Sequence, residues 1–149
     1  MPNLYIISGC NGAGKTTASF TVLPEMLSCE VFINADEIAR GLSPFNPSNA
    51  AIEAGRIMLN KIDLLITKKQ DFAFETTLAT KSYSNTIKKA KDAGYQITLV
   101  FFYLDSEELA IERVKARVIE GGHDIPEPVI RRRYVSGIQN LFNIYIPIC

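Results

Sequence analysis

Short apolar runs alternate along this chain with longer segments of helical period. That alternation predicts an α/β fold built on a mostly parallel sheet. Residues 4–8 read as a first buried strand, 31–34 as a short second, 72–75 as a third and 97–104 as a fourth. Only Thr98 interrupts the apolar character of the fourth, which is therefore expected to be covered on both faces. Residues 14–28 read as a helix that Pro24 must kink or end. After a turn-rich loop at 44–48, residues 50–69 place Ile52, Ile57, Met58, Ile62, Leu65 and Ile66 at the repeat of a long amphipathic helix. Residues 81–93 predict a basic amphipathic helix stopped by Gly94. Residues 106–119 and 127–145 predict two more helices, joined by the loop Gly121-Gly122-His123-Asp124-Ile125-Pro126. No repeat, low-complexity tract or linker breaks the pattern, so residues 1–149 are expected to form a single domain.

Composition narrows the class. A chain that is 47% hydrophobic and 21% charged is not a disordered one. Its 16 basic and 16 acidic side chains cancel, leaving no overall field to draw it to nucleic acid or an anionic membrane. The longest apolar stretch is far short of a membrane span, and no charged segment precedes an apolar leader. Cys10, Cys29 and Cys149 have no metal-ligand spacing, which suits a reduced, cytoplasmic protein.

The strongest chemical signal is Gly9-Cys10-Asn11-Gly12-Ala13-Gly14-Lys15-Thr16, a complete G-x-x-x-x-G-K-[ST] segment between a predicted strand and a predicted helix. Glycines let successive N–H groups turn inward around phosphate oxygens. Lys15 supplies a point charge to the β- and γ-phosphates, and Thr16 a hydroxyl to Mg²⁺. An ordinary glycine-rich turn is the plain alternative, and the strand–loop–helix context argues against it. ATP and Mg²⁺ are the cofactors expected.

Other nucleotide-binding classes fit less well. Asn60-Lys61-Ile62-Asp63 spells the N-K-x-D base reader of GTP-binding proteins, but it lies inside a predicted helix with Ile62 at a core position. No Asp is followed three residues later by Gly. The signature of an ABC-type ATPase is absent, and a small kinase remains.

Four segments sharpen this. They are residues 9–17, Ile33-Asn34-Ala35-Asp36-Glu37-Ile38-Ala39, Phe74-Glu75-Thr76-Thr77-Leu78, and residues 121–127 followed by Arg131-Arg132-Arg133-Tyr134. Together they resemble the zeta toxin-like P-loop kinase family over nearly the whole chain. The resemblance implies a kinase-type three-layer α/β/α sandwich and phosphorylation of a small hydroxyl-bearing substrate. For the toxins proper that substrate is UDP-N-acetylglucosamine. It also places Thr17 with the nucleotide-binding segment.

Asp36 follows the second strand, at the carboxyl edge where α/β sites lie. Phosphoryl transfer to a hydroxyl wants a carboxylate to orient it and take its proton. The resemblance assigns that role to Asp36, against the alternative of a helix N-cap. It places Glu75 and Thr77 on the acceptor. Glu75 could instead hold an Mg²⁺ water, or Thr76 and Thr77 could cap a helix beside a solvated Glu75. Arg113 and Arg117 are four apart, hence on one helical face. Cations that close over the transferring phosphoryl group are expected from a glycine-hinged lid. By resemblance Arg117 and Arg131 are the pair. Arg131, Arg132 and Arg133 cannot all face one phosphate, since consecutive helical residues splay about 100° apart. His123 reads as structural, the tyrosines mostly as core, and Lys88, Lys89 and Lys91 as a solvated face.

Two departures from the family pattern stand out. Cys10 takes a place where similar chains often have proline, which suggests oxidation-sensitive nucleotide binding. Similar chains also continue into a further strand with a Trp-containing segment, so four strands and an unfilled edge are expected here. A truncated piece, a gene remnant and a dimer that covers the gap all stay open.

The sequence thus predicts an ATP-dependent small-molecule kinase. Lys15 and Thr16 act on ATP–Mg²⁺, Asp36 as base, and Arg117 and Arg131 on the transferred charge. The rivals are an inactive or weakly hydrolysing ATP-binding remnant and a nucleotide-switch interaction module, with an antitoxin protein or a second copy as partner.

Overall fold

Four strands carry the apolar runs, and every pairing among them is parallel. In the computed structural model, which describes residues 1–149, these are β1 (Asn3–Gly9), β2 (Phe32–Ile33), β3 (Phe72–Thr76) and β4 (Gln96–Phe102), in the spatial order β2-β3-β1-β4. Leu4 stands opposite both Phe72 and Ile97, and Ser8 opposite both Thr76 and Phe101. The carboxyl ends of β1 and β3 are therefore level, and Gly9 and Thr76 emerge side by side.

Alternation along each strand sorts the side chains onto two faces. Leu4, Ile6, Ile33, Phe72 and Phe74 point to one face, where they meet Met58, Ile62, Leu65 and Ile66 of α3 (Ala51–Lys68) and Ile87 and Ala90 of α4 (Tyr83–Asp92). Ile7 and Ala73 point to the other, under Leu23 and Cys29, which follow α1 (Lys15–Thr21). A third cluster joins Cys10 and Leu104 to Ala110, Ile111 and Val114 of α5 (Glu107–Ile119) and Ile130 of α6 (Glu127–Asn140). The short α2 (Ala35–Leu42) packs on α3 through Ala39, Ala50 and Ala54, and α7 (Ile146–Ile148) ends the chain. No helix is long and apolar enough to cross a membrane.

Several elements differ from their sequence expectations for local reasons. α1 stops at Thr21, and the chain widens into a π-helical turn over Val22–Met26, because Pro24 has no N–H to continue the α ladder. Ile52 and Ile57 are exposed, not core: the first turns of α3 bury alanines against α2, and the long aliphatic side chains face out. β4 is only partly covered on each face: Ile97, Leu99 and Phe101 pack against the main core and Val100 and Phe102 against the cluster across the sheet, but none of its seven residues is buried, because it pairs with β1 alone. Tyr103 is also exposed, whereas Tyr95 is buried with its hydroxyl donating to the Leu65 and Gln70 carbonyls. Ile62 is fully buried within α3, and Asp63 pairs with Lys89 on the surface, so Asn60–Asp63 reads no base.

Candidate active site

The loop after β1 curls tightly enough to demand glycine. Gly9 has φ +143°, and a Cβ there would stand 2.6 Å from the Phe102 carbonyl oxygen. Gly12 has φ +82°, and its Cβ would stand 3.0 Å from the Ala110 carbonyl oxygen. α5 and β4 thus press against the loop from outside, leaving its inner side to a ligand. Lys15 is buried, and its ammonium donates to the carbonyls of Gly9 at 2.8 Å and Cys10 at 2.9 Å. Thr17 is exposed on the first turn of α1.

Facing Lys15 and Thr16 across the sheet edge is Glu75. The Thr16 hydroxyl donates to its carboxylate at 2.9 Å, and the Lys15 ammonium lies 3.9 Å from it. Burial pushes the Glu75 carboxyl above the usual carboxylate range, against the pull of Lys15 and the Thr16 hydrogen bond. Burial likewise lowers Lys15, against Glu75. Glu75 is therefore not the solvated side chain of the plain alternative. The neighbouring threonines cap a turn and not a helix: the Thr76 hydroxyl accepts from Leu78 N–H and the Thr77 hydroxyl from Ala79 N–H, while α4 starts only after Ser82.

Asn34 was not singled out from the sequence, yet it joins two halves of the site. Its side-chain oxygen accepts from the backbone N–H groups of Asp36 and Glu37, so Asn34, not Asp36, is the N-cap of α2. Its amide group donates to the Glu75 carboxylate. Asparagine one residue before a helix-period segment is an N-cap signature, and that was the signal available. Freed from capping, Asp36 is exposed in the first turn of α2 and lines the cleft above Lys15 and Glu75.

The arginines divide differently from expectation. Arg117, in the last turn of α5, lines the cleft. Arg131 does not: its guanidinium pairs with Glu107 and Glu108 at the start of α5, on the outer side of α6. The helical repeat turns Arg132 and Arg133 inward instead, and both line the cleft. Arg133 donates to the Asn11 side-chain oxygen at 3.2 Å, tying α6 to the phosphate loop. Gly122 and His123 form part of the same wall.

Together these groups enclose a cleft of about 640 Å³ with a mainly polar lining, which also includes Thr77, Thr80 and Tyr83. Lys15, Thr16, Asp36, Glu75, Arg117, Arg132 and Arg133 all line it. A hydroxyl and one carboxylate are oxygen donors that suit Mg²⁺ arriving with phosphates, since that ion keeps few protein ligands. No group of three Asp, Glu, His or Cys side chains converges to hold a metal without them.

Residues 1–143 match the zeta toxin family. The chain belongs to that family. An uncharacterized protein of Haemophilus influenzae is 35% identical over 127 residues, covering 85% of this chain and 88% of that one. A chain from the PezAT chromosomal toxin–antitoxin system of Streptococcus pneumoniae superposes with a TM-score of 0.70 at 20% identity, over 99% of this chain and 65% of that one. Shikimate kinase from Acinetobacter baumannii, in complex with shikimate, superposes with a TM-score of 0.58 at 17% identity, over 100% of this chain and 80% of that one. This zeta toxin family member therefore has the fold of P-loop kinases.

Proposed function

We propose that this protein is an ATP-dependent kinase that transfers the γ-phosphoryl group to a hydroxyl of a small molecule. The observation that supports this best is the convergence of Lys15, Thr16, Asp36, Glu75 and three arginines on one cleft. A hydrolase needs room for water alone, whereas this cleft is large enough for an acceptor as well and is also lined by Thr77, Thr80 and Tyr83.

Lys15 leaves the Gly9 and Cys10 carbonyls to meet the β- and γ-phosphates, and the loop N–H groups hold the same anion. Bound with the nucleotide, Mg²⁺ would be held by the Thr16 hydroxyl, with Glu75 beside it, and would neutralise charge between the phosphates. Asp36 orients the acceptor hydroxyl and takes its proton as the new O–P bond forms and the bond to ADP breaks. Arg117 and Arg133 stabilise the charge on the transferring group. Thr77 lies on the acceptor side. A UDP-amino sugar, the substrate type that the family resemblance suggests, is the first acceptor to try.

The test is transfer from labelled ATP–Mg²⁺ to a panel of nucleotide sugars that includes UDP-N-acetylglucosamine. Lys15→Ala is expected to abolish tight ATP binding. Asp36→Ala is expected to keep it and lower turnover about 10²- to 10⁴-fold, the usual contribution of a positioned general base. ATP binding that depends on Lys15 with no acceptor labelled would replace the kinase by a binding remnant or nucleotide switch.

A further inference from the structure

The loop between β3 and α4 carries part of the wall of the cleft, with Thr77, Ala79 and Thr80 all lining it. Its own threonines cap it, the Thr76 hydroxyl accepting from Leu78 N–H and the Thr77 hydroxyl from Ala79 N–H, and the Leu78 side chain is fully buried in the main core. Leu78 has φ +63°, a left-handed conformation that costs a branched residue energy and persists only where surroundings impose it. The hold on the loop's backbone carbonyls comes from one place, the carboxyl half of α6 and the turn after it.

Three contacts do this, and all engage backbone carbonyls. Gly137 lies flat against the loop: a Cβ there would stand 2.5 Å from the Thr77 carbonyl oxygen, so no other residue allows the approach. The Asn140 amide, buried, donates to the Leu78 carbonyl at 2.8 Å. The Tyr145 hydroxyl donates to the Thr80 carbonyl, and its ring is fully buried in the main core. Burial pushes that hydroxyl up to about 12, so it remains a donor at any working pH. The amino half of the same helix carries Arg132 and Arg133 into the cleft and reaches Asn11.

We propose that Gly137, Asn140 and Tyr145 are positioning residues. Through them α6 acts as a strut that holds the acceptor wall, Thr77 to Thr80, at a set distance from the arginines over the phosphate loop. The strut grips carbonyls only, so it leaves in place the caps in which the Thr77 and Thr80 hydroxyls accept from the Ala79 and Ser82 N–H groups, and both threonines line the cleft. Part of this rests on the kinase reading, because only a kinase has an acceptor to place. The strut itself is a property of the ligand-free protein and can be tested without one.

The experiment compares wild type with Gly137→Ala, Asn140→Leu and Tyr145→Phe. The last keeps the buried ring and loses one hydroxyl, so it remains informative if the other two fail to fold. Amide hydrogen exchange is measured on the ligand-free proteins. The amides of residues 78–82 are expected to exchange at least tenfold faster in each folded variant, with protection of β1 and α3 retained. ATP affinity is expected to change less than twofold. With a phosphorylated acceptor from the nucleotide-sugar panel, its KM is expected to rise about tenfold while kcat stays within threefold. Unchanged loop exchange in folded variants overturns the strut. So does a loss of ATP affinity as large as the rise in acceptor KM, which marks a general structural role. If wild type phosphorylates no acceptor, the kinase reading fails, while the exchange result still decides whether α6 holds the loop.

Discussion

The hydroxyl of Thr16 donates to the carboxylate of Glu75 at 2.9 Å, although 59 residues separate them. Parallel pairing of β1 with β3 brings the phosphate loop and the end of β3 to the same sheet edge, and this bond is the consequence. It ties the residue expected on the metal to a buried acid whose protonation then governs the floor of the cleft.

That protonation has a direction. Glu75 is raised by burial, and its ionised form is the one that accepts from Thr16 and Asn34. Turnover is therefore expected to fall on acidification with an apparent pKa above the ordinary carboxylate range, and Glu75→Gln to remove that limb. The pH profile of kcat/KM for ATP checks this. Linkage gives the ligand-free protein the complementary trend. A folded state that holds a proton more tightly than the unfolded one loses stability as pH rises from the unfolded to the folded pKa. Thermal unfolding across that interval should show the decline in wild type and not in Glu75→Gln.

Arg131 and Arg133 are two residues apart and should behave oppositely. Arg131→Ala breaks only solvent-screened ion pairs with Glu107 and Glu108 and should leave turnover within about twofold. Arg133→Ala removes a cation from the cleft and the bond to Asn11. Turnover should fall about 10²-fold or more, as for the loss of one donor to a transition-state charge. Steady-state kinetics on the two variants side by side separate them.

Asn34 has two jobs that two substitutions can divide. Asn34→Ala loses the cap of α2 and should cost about 0.5–2 kcal/mol in denaturant unfolding. Asn34→Asp keeps a good cap but replaces the donor to Glu75 by a second carboxylate. Stability near neutral pH should fall less than for Ala if capping dominates, and the acid limb of turnover should move to still higher pH as the two carboxylates repel.

Cys10 is buried among Leu104, Ala110, Ile111, Val114 and Ile130, and burial pushes its thiol up, away from the reactive thiolate. Burial and a raised thiol both argue against oxidation-sensitive nucleotide binding. Peroxide is expected to leave ATP affinity unchanged, and a thiol reagent to label exposed Cys149 first. Mass spectrometry of the treated protein, together with an ATP titration, decides it.

How much of this was legible beforehand depends on the range of the forces involved. The phosphate loop is a local object: Gly9 to Thr16 must curl wherever they are placed, so the segment declares itself in one dimension. So do the strand runs and the N-cap of α5 at Ser106, whose hydroxyl accepts from Leu109 N–H. The resemblance carried Asp36, Glu75 and Arg117 to one site, and all three line the cleft. It misplaced Arg131, because three consecutive arginines present the same composition in every register. Which of them turns inward depends on how α6 rolls against α5, and Ile130 in the shared core sets that roll.

By itself, then, the sequence determined the α/β alternation, the phosphate loop and the family, since each is written in residues close together along the chain or in a fixed order. The tertiary structure alone decided that β4 lies at an edge, that Ile52 faces out, that Asn34 binds Glu75 and that α6 grips the loop after β3. Those are contacts between residues tens of positions apart. They are settled by which faces must be buried together, and no local propensity records that.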